Sequence, residues 1–228
     1  MSKSFIGLLV AIVVVFGGAF FLVNKNSAGG NTTATAKPSE NIEGLGKSGV
    51  ALVEYGDFEC PYCEEYAPIV QQVVQNNYSQ ITFQFRNFPL TSIHPNAFAA
   101  SRAAEAAALM GKFWQMHDLL YSPSNWQQWN SSPNPYPYFT QYAKQLGLNL
   151  TSFNNYFNSN QVNDIIQADM TAGNNLNIQG TPTFYLDGKQ IQAGPSITSF
   201  EQLISQAIAG KGKVPAAASN AKTAQTKK

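Results

Sequence analysis

The strongest hydrophobic signal is an unbroken apolar run from Phe5 to Val23. At about 1.5 Å per helical residue it is just long enough to cross a hydrocarbon layer of roughly 30 Å. Lys3 precedes it and Lys25 alone follows closely, which favours an inside amino terminus with the remainder exported. A cleaved signal peptide is the alternative, but the run is long for one and no small-x-small site is clear before Ala28. Residues 1–23 therefore read as a retained transmembrane anchor. Residues 24–44 lack apolar periodicity and read as a flexible linker, and 211–228, rich in Ala, Lys, Ser and Thr, as a disordered tail.

Between them, 45–210 alternates between strand and helix patterns. Val50-Ala51-Leu52-Val53-Glu54-Tyr55, ended by Gly56-Asp57, reads as a buried strand. A helix then begins near Cys60, with Tyr66, Ile69, Val70, Val73 and Val74 on one stripe and a kink expected at Pro68. Ile81 to Arg86 alternates like a half-buried strand, completing a βαβ unit with a parallel pair. The middle, about 93–176, reads as helical: an alanine-rich run from His94-Pro95 to Met110, a second helix around Phe113–Leu120, a loop over 122–135, then helices around Tyr138–Leu146 and Ser152–Asn174. Two short strands flank the turn Asp187-Gly188, a hairpin signal. A last helix over Ser199–Ala209 follows. The expected class is α/β, with a sheet split by a helical insertion.

Composition narrows the chemistry. Among 228 residues the formal net charge is +1, so no global field points to nucleic acid. The only two cysteines, Cys60 and Cys63, lie three apart, which leaves none for a separate structural disulfide. Zinc would need further ligands, and His94 and His117 lack the spacing; no metal or cofactor is expected.

Cys60-Pro61-Tyr62-Cys63 sits where a strand has ended and a helix begins. Side chains three apart on a helix are neighbours, so a small adjustment brings both sulfurs to disulfide distance. Free N–H groups at a helix start favour a thiolate, and Pro61 suits a first turn. Cys63 shares the stripe of Tyr66 and Val70, so Cys60 is expected to be the exposed, attacking sulfur and Cys63 its resolving partner. Glu54, six residues before Cys60 on a buried strand, is costly to bury unless partnered or protonated. Asp57 and Glu59 would oppose a thiolate at Cys60. His94 reads as a helix-start residue and His117 as a packing residue.

Glu54-Tyr55-Gly56-Asp57-Phe58-Glu59-Cys60-Pro61-Tyr62-Cys63 resembles the active-site segment of the DsbA family of thioredoxin-fold proteins, and Gly180-Thr181-Pro182-Thr183-Phe184 resembles that family's cis-proline loop. His94-Pro95-Asn96-Ala97, Ala103 to Ala107 and Gly111-Lys112-Phe113-Trp114 extend the likeness to its single-chain, membrane-tethered members. The resemblance implies a thioredoxin-like fold with an inserted helical subdomain. It also implies a redox-active Cys60–Cys63 disulfide, a cis Pro182, and Thr181 with Tyr62 against the substrate. The Glu54 position carries the family's acid, suited to proton exchange with Cys63. Strongly oxidising members carry Pro-His between the cysteines, whereas Pro-Tyr stands here, so a cation beside Cys60 is absent. The expected activity is disulfide donation to exported cysteine-containing proteins by a monomer on the outer side of the cell membrane, recharged by a membrane redox partner. A reductase or isomerase of the same fold, or a peptide-binding holdase, is the alternative.

Overall fold

The computed structural model describes residues 36–211. The expected membrane anchor, most of the linker and nearly all of the tail lie outside them. Among the described residues no helix is long and apolar enough to cross a membrane.

Five strands form one sheet in the order β1-β3-β2-β4-β5: β1 (Asn41–Glu43), β2 (Val50–Gly56), β3 (Ile81–Asn87), β4 (Thr183–Leu186) and β5 (Lys189–Ile191). β2 and β3 are parallel, with Glu54 opposite Phe85, joined by the crossover helix α1 (Pro61–Asn77). The other pairings are antiparallel. The β4–β5 turn places Asp187 and Gly188 at φ 49° and 75°, as an Asp-Gly hairpin requires. α8 (Ile197–Lys211) is the last element among the described residues. Val70, Val73 and Val74 of α1, Phe200 and Ile204 of α8, and Val50, Leu52, Ile81, Phe83, Phe184 and Leu186 from the sheet form one buried layer.

Six helices separate β3 from β4: α2 (Ala97–Ala108), α3 (Phe113–Tyr121), α4 (Pro123–Trp129), α5 (Tyr136–Gln145), α6 (Leu150–Phe157) and α7 (Asn160–Asn175). Ala100, Ala103, Ala104, Ala106 and Ala107 of α2 are buried, and their small side chains admit close neighbours. The second core layer holds these alanines, Met116, Leu120, Trp129, Phe139 and Phe153, together with Phe58, Cys60 and Cys63. The helical insertion thus shares its core with the cysteines.

α1 continues through Pro68 without ending there, forgoing the hydrogen bond that a proline nitrogen lacks, the usual source of a kink such as the one expected. Several local expectations are corrected. The stretch read as a loop over 122–135 contains α4, anchored by buried Trp129, whose Nε1 donates to Leu120 O at 3.0 Å. The long helix expected over 152–174 is two, because Ser159 caps a new start by accepting from Val162 N at 3.2 Å. β1 falls inside the stretch read as linker. It is held by polar bonds that no hydrophobic pattern reports: Asn41 Nδ2 donates to Glu105 Oε1 at 2.7 Å and Ser39 N to Asp169 Oδ1 at 2.9 Å.

Candidate redox-active site

β2 ends at Gly56, and the chain turns through Asp57-Phe58-Glu59 into α1. Cys60 occupies the N-cap position with extended backbone (φ −71°, ψ 124°), and Pro61 follows where its missing N–H costs nothing. The turn is tied by Cys60 N donating to Asp57 O at 3.1 Å and Glu64 N to Cys60 O at 3.1 Å. Both cysteines are free thiols. Cys63 is fully buried, and its sulfur accepts from Asp57 N at 3.5 Å.

The expectation that Cys60 is exposed is corrected: it is 4% exposed. The cover is the Thr181-Pro182 loop, whose peptide bond is cis. The Cys60 thiol donates to Thr181 O at 3.4 Å, and Thr181 Oγ1 is buried beside it with no partner among the described residues. Tyr62 is 67% exposed. With Tyr66, Thr181, Pro182, Thr183 and Gln190 it lines a cleft of about 190 Å³ along β4 and β5.

The two sulfurs are driven apart electronically. The Cys63 thiol donates to Cys60 and, with the backbone N–H groups of Cys63 and Tyr62, pulls the Cys60 pKa down to about 6 against the opposing effect of burial. Burial first, then donation to Cys60 and the Glu54 charge, push Cys63 well above the usual thiol value. Glu54, 3% exposed, is raised to about 8, by burial and then by negative charge at Cys60.

The family model described as Thioredoxin matches residues 37–206, most of the chain. The chain belongs to the thioredoxin family. Solved structures with the same fold include BdbD from Bacillus subtilis, with TM-score 0.64 and 21% identity over 77% of this chain and 98% of that one. Another is alpha-DsbA1 from Wolbachia pipientis, with TM-score 0.65 and 16% identity over 79% and 98%. The fold is therefore that of the DsbA-type thiol–disulfide oxidoreductases. Among curated relatives, the Na(+)/H(+) antiporter NhaA 1 of Salinispora arenicola is 33% identical over 171 residues, 75% of this chain and 25% of the relative. NhaA 3 of Salinispora tropica is 34% identical over 170 residues with the same shares. The chain spans about a quarter of the length of these relatives.

In this thioredoxin-family site Cys60, Pro61, Tyr62, Cys63, Thr181 and Pro182 converge at one end of the sheet, with Glu54 behind Cys63. Asp57 and Glu59, whose charges were expected to oppose a Cys60 thiolate, are both held in hydrogen bonds beside the cysteine turn. Asp57 is fully buried and turned toward the amides of Glu59 and Leu90 at 2.8 Å each and toward His94 Nδ1 at 2.7 Å. Glu59 accepts from Asn96 N at 2.5 Å and holds the start of α2. Sequence reasoning missed the Asp57–His94 pair and the bond from Trp126 Nε1 to Phe58 O at 2.8 Å, which ties α4 to the cysteine turn. The only signal for the pair was the proximity of Asp57 to Cys60. It also missed Tyr121, whose buried hydroxyl has no partner among the described residues.

Proposed function

We propose that this thiol–disulfide oxidoreductase donates the Cys60–Cys63 disulfide to cysteine-containing proteins outside the cytoplasm. The observation that carries the reading is the opposite bias on the two sulfurs, Cys60 near 6 and Cys63 well above the ordinary thiol. A Cys60 stabilised as thiolate stabilises the reduced enzyme, and that makes the disulfide a stronger oxidant. It is also the better leaving group when a second client thiol resolves the mixed disulfide.

The steps follow from the placement of the groups. A client thiolate attacks Cys60 Sγ, the Cys60–Cys63 bond breaks, and the electron pair departs on Cys63. Glu54, protonated at neutral pH because its pKa lies near 8, gives its proton to the Cys63 sulfur. The client's second thiolate then attacks its own sulfur in the mixed disulfide and releases Cys60 as thiolate. Thr181 to Thr183, beside Tyr62, provide an edge along which an extended client segment lies. A membrane redox partner reoxidises the pair, and the apolar run Phe5–Val23 keeps the chain at that membrane. Sodium–proton exchange belongs to relatives about three times the length of this chain and is not assigned to it.

Mixing the oxidised full chain with a reduced exported protein bearing two cysteines tests the activity. One client disulfide should form per enzyme reduced, and Cys60→Ser and Cys63→Ser, neither of which has a disulfide to give, should form none. Holding activity that survives in the Cys60→Ala, Cys63→Ala protein, without disulfide formation by the wild type, would favour the holdase instead. Location is read by protease on intact spheroplasts: removal of the domain fits the proposal, and protection that is lost on lysis contradicts it.

A further inference from the structure

A carboxylate–imidazole pair beside the cysteine turn has no part in these steps. Asp57 Oδ1 accepts from Glu59 N at 2.8 Å, and Oδ2 from Leu90 N at 2.8 Å. Oδ2 also meets His94 Nδ1 at 2.7 Å. A carboxylate offers only lone pairs, so the proton between the two sits on Nδ1, and an imidazole holding that one proton has its lone pair on Nε2. Among the described residues Nε2 makes no hydrogen bond. The imidazole is 16% exposed and lines an open cleft of about 500 Å³ with Glu59, Pro61, Trp126 and Pro133. Tyr62, the residue after Pro61, lines the cleft along Thr181–Phe184, so the cysteine turn borders both clefts. Asp57 joins them physically, its backbone oxygen on Cys60 N at 3.1 Å and its side chain on His94.

We propose that His94, oriented by Asp57, is a catalytic base that takes the proton from an incoming client thiol before that sulfur attacks Cys60. The inference rests on the thiol–disulfide exchange reading above. An ordinary cysteine has a pKa of about 8.5, so only a few per cent is thiolate at neutral pH, and only thiolate attacks. Glu54 stands behind Cys63 and serves the leaving sulfur, so the arriving one needs a base on the open side. The titratable groups facing His94 are Asp57 and Glu59. The residues opposite, Asn96, Trp126, Asn130 and Ser132, bring none.

The step balances. Nε2 gains the proton, and the client sulfur uses its own electron pair to bond Cys60 Sγ. The Cys60–Cys63 bond breaks with its pair on Cys63. The client sulfur is oxidised to the disulfide level, Cys63 is reduced, and the imidazolium returns its proton to water through the cleft.

His94→Asn tests this, because an amide N–H can still donate to Asp57 while the base is gone; His94→Gln is the second variant. Oxidised full-length protein in detergent is mixed in stopped flow with a peptide bearing one ordinary cysteine, from about pH 6 to about pH 9.5, across the ionisation of its thiol. Near pH 7 the variants should react at least about tenfold more slowly than wild type. Above pH 9, where the peptide is already ionised, the rates should converge. Equal rates near pH 7 would overturn the proposal. So would the same slowing at both ends of the range, the mark of a packing defect. A wild type that never oxidises the peptide would instead overturn the exchange reading on which the proposal rests.

Discussion

Cys60 and Cys63 differ because one sulfur collects donors and the other is buried behind it. Since the largest cause of the low Cys60 value is the Cys63 thiol, Cys63→Ala should move the 240 nm thiolate titration of the reduced protein up from about 6 by a unit or more. Cys63→Ser, which keeps a donor, should move it less, and an unmoved midpoint in both variants would remove Cys63 as the cause. Glu54 carries a linked stability cost. Its folded value of about 8 exceeds the ordinary 4.5, so the folded state holds the extra proton between these values. Stability is therefore full below about 4.5 and falls as pH rises, by about 1.4 kcal/mol per unit, until about 8. Glu54→Gln should gain on wild type across that window in urea unfolding of the reduced protein. Glu105, also raised, to about 7, chiefly by burial, is common to both proteins and cancels in the difference. The acid was legible because it interrupts Val50 to Val53. The cover on Cys60 was not, because Thr181 lies 121 residues away, and neither was the Asp57–His94 pair, whose members stand 37 apart.

At the scale of elements, hydrophobic period located what burial organises. β2, β3, α1, the Asp-Gly hairpin and α8 stand close to where their patterns place them, since each buries one regular face. β1 was missed because a three-residue edge strand held by Asn41, Ser39 and Gln84 has no apolar face to read. α4 was missed because Ser122, Pro123 and Asn125 signal a turn, while buried Trp129 and the Trp126 bond to Phe58 O supply the helix with its reason to form. The joint between β2 and the cysteine turn is the tightest of these fits. A Cβ on Gly56 would stand 2.4 Å from Phe85 Cε2 and 3.1 Å from Glu54 Oε1. Gly56→Ala should cost about 1–3 kcal/mol in chemical denaturation, with a shifted Glu54 and slower thiol exchange. A cost below about 0.5 kcal/mol, the ordinary surface range, would mean that Phe85 yields freely.

Over the whole molecule, a thioredoxin-type sheet supplies the strand end, helix start and cis-proline loop, and the inserted helices close over the cysteines from the other side. Phe58, Cys60 and Cys63 lie in the same core layer as the insertion, so the state of the sulfurs and the packing of the domain are coupled. If the thiolate at Cys60 is stabilised only in the folded protein, reduction should stabilise the fold. The reduced form should then melt above the oxidised form, the reverse of an ordinary structural disulfide. The most direct test is the equilibrium of the Cys60–Cys63 couple with glutathione at pH 7. A Cys60 near 6, below the thioredoxin cysteine at about 7, and a Cys63 held protonated place the potential above about −270 mV, on the oxidising side of thioredoxin. A potential at or below about −270 mV, that of a reductant, would contradict disulfide donation.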